Sequence, residues 1–332
     1  MYATGNKKML NMLILEILRN YTDEEHSLTQ QEIIKLLDLN YGMECDRRSV
    51  KSNVLSLKEL GEECGFEISM ENGYRLISRE FDEAELRILI DSILFSKSIS
   101  SRQARDLIKK IRGLGSKYFN AKVSHVCNLP DLNRTINKQA LYAMDTINDA
   151  IAGKRKISFI YNDIGTDFKL HPRREEPYIV NPYQIVANNG RFYLIGNYDK
   201  YDDVAHFRID RMTDVHELEE RVKPMKEVPE LEDGLNLPKH MAEHIYMFSG
   251  PSSYIKLATT SGMMSELVDW FGTDFRVVEQ DGDKIVIRLR CNETAMRFWA
   301  LQYGIYVEIL EPESLREQIK SDVKVMSKKY AN

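Results

Sequence analysis

The residues whose types and spacing best suggest chemistry fall between Asn189 and Met212, in NGRFYLIGNYDKYDDVAHFRIDRM. In extended chain, residues two apart share a face, so His206, Arg208 and Asp210 are expected to point one way and Phe207, Ile209 and Arg211 the other. Guanidinium forks match phosphate or carboxylate oxygens, and tyrosine supplies a hydroxyl and a ring face for a base. The reading is an anion-binding site with Tyr183, Tyr193, His206, Arg208 and Arg211 as its effector-binding candidates. Against it stands a structural reading in which the arginines pair with Asp210 and Asp214 and His206 is a hydrogen-bonded strand residue. Three positions apart, Arg208 and Arg211 meet one ligand only if the strand bends between them.

A second group lies in DRRSVKSNVLSLKELG. At helical spacing Val50, Val54, Leu57 and Leu60 share one side, leaving Arg47, Arg48, Lys51, Ser52 and Lys58 toward solvent. Arginines near a helix start suit guanine edges or phosphates, and Ser49, Ser52 and Asn53 are short polar groups able to bond either. Arg75, on a following hairpin, would add a phosphate contact. These eight residues, Arg47, Arg48, Ser49, Lys51, Ser52, Asn53, Lys58 and Arg75, form the DNA-binding set. The plainer alternative is an ordinary solvated helix face.

A third group, His240-Met241-Ala242-Glu243-His244, fits H-x-x-E-H, a zinc-hydrolase spacing that sets two imidazoles one helical turn apart. No third ligand can be picked out from the sequence, and neighbouring Pro238 places the motif in a connector. An exposed helix is therefore the expectation, with no metal and no cofactor. Without a phosphate-binding loop, a nucleophile elbow or paired catalytic acids, the chain reads as a non-enzyme.

Composition limits what these groups can do. The 332 residues carry 46 basic and 51 acidic side chains, a net charge of -5, so any surface for a polyanion must be local rather than global. Four well-separated cysteines, Cys45, Cys64, Cys127 and Cys291, lack a C-x-x-C pair and read as reduced thiols. The apolar run near the amino terminus is too short for a signal or a membrane span. A soluble cytoplasmic protein with no membrane partner is expected, and its length predicts two or three domains.

The elements that must position these groups are legible from periodicity. Met9, Leu10, Leu13, Ile14, Ile17 and Leu18 predict a first helix, and Thr29 with Glu32 a capping box that opens a second, with Ile33, Ile34, Leu36 and Leu37 inside. The third helix starts near Asp46 and stops at Gly61 or Gly65. Phe66–Met70 and Tyr74–Ile77 then form a hairpin around Asn72-Gly73. Helices follow from Asp82, Ser101 and Lys138, with a polar stretch from Ser124 to Asn133 between the last two. Their apolar stripes imply packing on neighbours or on a second copy, and a homodimer is expected. Strands dominate from ISFIY onward, with Asn188-Asn189-Gly190 as a hairpin turn, and predict a small, strongly bent sheet or partial barrel. Pro224 to Asp233 reads as a linker, and beyond it a βαββαβ order is ferredoxin-like. There Lys256, Arg288 and Arg290 are further basic candidates, equally explained as solvated surface residues.

NPYQIVANNGRFYLIGNY followed by HFRIDRM resembles the core of the WYL-domain regulators, with Phe192, Tyr193 and Leu194 at the triplet that names the family; the likeness runs roughly from Lys138 to Val222. DRRSVKSNVLSLKELG and NGYRL resemble the recognition helix and wing of DeoR-like winged helices, although Tyr41 and Gly42 lengthen the preceding turn. FWALQYGIYVEILEPESLREQI resembles the extension that follows WYL domains. The resemblance implies a multidomain α+β chain: a winged helix-turn-helix (1–80), a helical linker (81–137), an Sm-like β-barrel that senses ligand (138–223), a connector (224–250) and a ferredoxin-like extension (251–332). It further implies a ligand-responsive transcriptional regulator whose partners are a double-stranded DNA operator and a nucleotide or single-stranded nucleic-acid effector. A second reading is a constitutive DNA-binding or architectural dimer whose C-terminal half only oligomerises.

Overall fold

A computed structural model describes residues 7–127, 134–198, 200–201 and 203–331. The polar stretch expected between Ser124 and Asn133 therefore lies mostly outside the described residues, as does the side chain of Cys127. The chain is a mixed α/β protein that divides into two compact units, Met1–Thr135 and Ile136–Asn332.

The first unit begins with helices α1 (Leu10–Tyr21), α2 (Gln30–Tyr41) and α3 (Arg47–Cys64), then strands β1 (Glu67–Ser69) and β2 (Arg75–Ser78). The Thr29 side chain accepts from the backbone of Glu32, whose carboxylate takes the Thr29 N–H at 2.8 Å, so the expected capping box opens α2. Helix α2 runs to Tyr41. Gly42 ends it in the left-handed region at φ 60°, which glycine adopts without strain. Asp46 caps α3 through the Ser49 N–H, and Gly65, not Gly61, terminates it. The inward face of α3 is Val50, Val54 and Leu57; Leu60 is 47% exposed, because the next inward step falls on Gly61, where the Phe66 backbone leaves no room for a Cβ. Phe66, Ile68 and Leu76 close this core from the hairpin. Leu28 also bridges Tyr74, and the Thr22 hydroxyl accepts from the Leu76 N–H at 3.0 Å, so the hairpin is anchored at both ends.

Helices α4 (Glu83–Phe95), α5 (Ser101–Arg112), α6 (Lys117–Lys122) and α7 (Ser124–Cys127) complete the first unit. Capping boxes at Asp82/Glu85 and Ser100/Gln103 start α4 and α5. Leu86, Ile90, Ile108, Phe119, Val123 and Val126 form their shared core. The segment expected as a linker thus has a core of its own and groups with the amino-terminal helices.

The second unit opens with α8 (Ala140–Gly153) and strands β3 (Arg155–Ile164), β4 (Leu170–Pro172), β5 (Tyr178–Asn188), β6 (Arg191–Tyr198), β7 (Val204–Arg208) and β8 (Met212–Arg221). They form one curled antiparallel sheet in the order β4-β3-β5-β6-β7, with β8 also on β3. The β5–β6 hairpin turns at Asn189 and Gly190, both at positive φ (49° and 74°), as the Asn-Gly signal predicts. Alternation gives the sheet two buried faces. One packs Leu194, Phe207 and Ile209 against Ala143, Ile147 and Ala150 of α8; the other packs Tyr183, Val186, Ile195 and Val204 against Val228, Leu231 and Met247. The proline- and acid-rich stretch after Pro224, expected to be a linker, is therefore sheet covering: apolar residues spaced among its acids are buried.

Helix α9 (Leu237–Glu243) follows, then β9 (Ser252–Thr260), α10 (Met264–Phe271), β10 (Arg276–Asp281), β11 (Lys284–Asn292), α11 (Glu293–Gln302), β12 (Glu308–Glu311) and α12 (Glu313–Lys329). The four strands pair antiparallel in the order β10-β11-β9-β12, with Trp299, Phe271 and Leu315 in the core between sheet and helices. Among the described residues, no helix is long and apolar enough to cross a membrane.

Candidate functional site

Strand β7 carries two of the predicted anion-site residues, His206 and Arg208, and its register decides what they meet. Arg208 stands opposite Tyr193 and His206 opposite Ile195. After Arg208 the strand gives way to a 3-10 turn over Ile209–Arg211, so simple alternation fails here. The turn folds Asp210 back beneath Arg208. Its carboxylate, 3% exposed, accepts from Arg208 Nε at 3.0 Å and Nη2 at 2.7 Å and from Arg191 Nη1 at 2.8 Å. Arg191 was not anticipated. Its signal was its place beside the Asn189-Gly190 turn, where the hairpin register returns it toward the residues after Arg208.

The same turn ends on Arg211, whose charge is felt only weakly at Arg191 and Tyr193. Arg211 reaches Asp163 at 3.3 Å, while Arg173 grips that carboxylate with two bonds of 2.9 and 2.8 Å and lies over the Tyr161 ring. The Tyr161 hydroxyl accepts from the Arg208 N–H at 3.1 Å. Four arginines against two aspartates leave this corner cationic. Asp214, the other predicted ion-pair partner, instead bonds His216.

The electrostatics follow from that crowding. Burial lowers the Arg191 pKa, and the neighbouring Arg208 charge adds to the effect. Burial also works against charge on Arg208, but its bonds to Asp210 outweigh this and hold its pKa above the ordinary value. Burial raises Tyr161 and Tyr193, keeping both phenols neutral donors. Asp163 is held below the usual carboxylate range, chiefly by the Arg173 hydrogen bonds. The corner thus offers charged guanidinium edges beside protonated phenols, an arrangement suited to an anionic group with an attached ring.

Two predicted members lie elsewhere. Tyr183 is buried on the connector-covered face, its hydroxyl donating to the Lys223 carbonyl at 2.8 Å. His206 faces the connector: its backbone N–H donates to the Ser249 hydroxyl at 3.0 Å, and its ring meets His240 and His244. The H-x-x-E-H segment was expected as an exposed helix, yet His240 and His244 are buried, because α9 lies against the sheet instead of crossing solvent. Glu243 is not part of the histidine group. Its carboxylate lies 3.8 Å from Arg290 and 4.0 Å from Lys239. Of the remaining candidates, Lys256 pairs with Glu279 at 3.0 Å and Arg288 lies over the Tyr254 ring.

In the first unit, Arg47, Arg48, Lys51, Ser52 and Lys58 are exposed on α3. Ser49 and Asn53 are half-buried, with the Asn53 amide donating to the Ser49 carbonyl at 2.7 Å. Arg75 is half-buried on β2. Most of the predicted set therefore forms one outward face of α3, while Asn53 is partly spent on the helix itself.

Residues 142–217 match the WYL domain and residues 254–327 match the WCX domain. No curated protein matches the chain. Among solved structures, the proteasome accessory factor B/C (PafBC) of Arthrobacter aurescens is similar at 14% identity and a TM-score of 0.32, covering 98% of this chain and 49% of that one. A CRISPR Cas-related protein is similar at 14% identity and a TM-score of 0.40, covering 90% of this chain and 77% of that one. The chain spans about half the length of the first of these.

Proposed function

We propose a DNA-binding transcriptional regulator for this chain, whose residues 142–217 match the WYL domain and residues 254–327 the WCX domain. The observation that carries the reading is the outward face of α3. Arg47, Arg48, Lys51, Ser52 and Lys58 are all exposed on it, on a net-acidic chain, while its other side is fixed by Val50, Val54 and Leu57. A helix capped by Asp46, preceded by two helices and followed by a hairpin, supports a winged helix-turn-helix in which α3 enters the major groove and β1–β2 is the wing. Arg47, Arg48, Ser52, Lys51 and Lys58 are its phosphate and base contacts, with Ser49 and Asn53 in lesser roles and Arg75 on the wing.

Operator binding is controlled, in this reading, by a nucleotide or single-stranded nucleic acid at the corner formed by Arg208, Arg211, Arg191 and Tyr193. Ligand phosphate competes with Asp210 and Asp163 for the arginine edges, and its binding favours one arrangement of the chain over another. Arg208 and Tyr193 keep their proposed contacts; Tyr183 and His206 act from beneath, as supports of the sheet. The strand order β10-β11-β9-β12 within a βαββαβ sequence supports a ferredoxin-like extension. Exposed Ile88 and Phe95 on α4 and Val323 and Met326 on α12 support a homodimer, which reads two half-sites.

The test is selection of genomic DNA fragments by the full-length protein, followed by anisotropy titration of a selected fragment. Arg47→Ala with Arg48→Ala should weaken binding, and unchanged titrations would remove α3 from the reading. A constitutive DNA-binding dimer is the second reading, favoured by the engagement of Arg208 with Asp210. It predicts operator binding indifferent to nucleotides and short oligonucleotides.

A further inference from the structure

We propose that His206, His240 and His244 form a binding site for a divalent cation of the zinc class, clamping the connector helix α9 onto strand β7. The three residues come from distant parts of the sequence, yet their ring centroids lie 4.4–5.1 Å apart. One ligand nitrogen from each converges with the others within 4.8 Å, and the His206 and His240 Nε2 atoms are 2.8 Å apart. Zinc–nitrogen bonds of about 2.0–2.1 Å in tetrahedral geometry set neighbouring nitrogens about 3.3 Å apart. The observed spacings straddle that value, so ring rotations that open the closest pair by about 0.5 Å and draw in the widest by up to about 1.5 Å would close the site.

The local structure pre-orients two of the three ligands. Asn236 caps α9, and its side chain accepts from the Lys239 N–H. One turn later, the His244 N–H donates to the His240 carbonyl at 3.0 Å, stacking the two imidazoles on the face that meets β7. His244 Nδ1 lies 3.1 Å from the Phe248 carbonyl, which can only accept. That bond places the proton on Nδ1 and leaves Nε2 as a lone pair, the usual outer-shell arrangement of a metal-bound histidine. His206 Nδ1 is buried without a well-formed hydrogen bond, although the Phe248 carbonyl acts on the ring. Three polar rings packed together with few other partners are costly unless something satisfies them.

The donor set selects the ion. Three neutral imidazoles suit zinc, cobalt, nickel or copper and offer little to magnesium or calcium, which prefer oxygen. Burial disfavours a charge on each ring, consistent with the neutral imidazoles that a metal requires. Three protein ligands leave a fourth position for water or an anion. With Glu243 turned to Arg290 and Lys239, the hydrolase assignment of the H-x-x-E-H segment loses its general base. The site is a clamp, two residues along the strand from Arg208, and it stands or falls independently of DNA binding.

The experiment uses full-length protein stripped with a chelator and titrated with Co2+ alone, then with competing Zn2+. One Co2+ per chain is expected, with the visible absorption of a four-coordinate nitrogen-ligated ion, displaced by Zn2+. His206→Ala and His240→Ala should each weaken Co2+ binding by at least about 100-fold, as expected for loss of an inner ligand when outer-shell changes alone cost 10–100-fold. His171→Ala, at an exposed histidine, should not. As a safeguard against misfolded variants, Zn2+ should raise the melting temperature of the unmodified protein and EDTA should reverse it. Absence of saturable Co2+ binding, absence of that reversible shift, or binding undiminished by loss of His206 would each overturn the proposal.

Discussion

Asp210→Asn tests whether the arginine corner is held together by one buried charge. The carboxylate is 3% exposed and takes charge-assisted hydrogen bonds from Arg208 and Arg191, whose side chains are 20% and 24% exposed. Replacing it with an amide keeps the shape, removes the charge and leaves two guanidinium groups facing an Nδ2 donor. Breaking one side of a buried pair costs about 3–5 kcal/mol, and residual water at the arginines sets the expectation at the lower end, about 3 kcal/mol. For a unit of about 200 residues, each kcal/mol moves the melting midpoint by about 2–4 °C, so a fall of about 6–12 °C follows. The assay is intrinsic fluorescence on full-length protein. Both tryptophans, Trp270 and Trp299, lie in the second unit, so the signal reports that unit alone. Asp163→Asn is the comparison: at 49% exposed its pair with Arg173 is a surface interaction worth about 1 kcal/mol or less. Equal shifts for the two variants, or less than about 2 °C for Asp210→Asn, would refute a single buried anchor.

Other expectations are simpler to measure. Arg47→Ala with Arg48→Ala should reduce the slope of log affinity against log salt by about 2, since each lost phosphate contact accounts for about 0.9; an unchanged slope rules out both contacts. Arg208→Ala should abolish the nucleotide or oligonucleotide response while leaving basal operator affinity within about threefold, and a full response would move the effector site elsewhere. Cys291, fully buried with its thiol donating to the Glu243 carbonyl at 3.2 Å, is pushed up to about 12 by burial and then by the Glu243 charge. It should resist iodoacetamide at pH 8 while exposed Cys64 is alkylated, as read by peptide mass spectrometry. Because the unfolded thiol ionises near pH 8.5 and the folded one does not, Cys291 contributes stability that is lost as pH rises above about 8.5. Cys291→Ala should flatten that alkaline decline.

Local rules were enough where local chemistry governs. The Thr29–Glu32 box, the Asp82 cap, the Asn189-Gly190 turn and the apolar periods of α1 and α3 each act over a few residues, so the sequence specifies them without knowing the fold. The outward basic face of α3 is likewise readable, since Val50, Val54 and Leu57 fix which side is inside. Leu60 went the other way because the Phe66 backbone approaches Gly61 too closely for any side chain, a tertiary fact. At the arginine corner, Arg208 and Tyr193 could be singled out from their residue types, and the β6–β7 register sets them opposite each other. Arg191 and the anchoring role of Asp210 depended on a 3-10 turn that breaks alternation and on a hairpin register spanning 19 positions. The third histidine was hidden for a stronger reason. Spacing within a helix reveals His240 and His244, but His206 lies 34 positions from His240, and only the folding of an acid-rich connector back over the sheet brings their rings together. Short-range geometry is written residue by residue, whereas convergence of distant side chains is decided by which buried surfaces find each other.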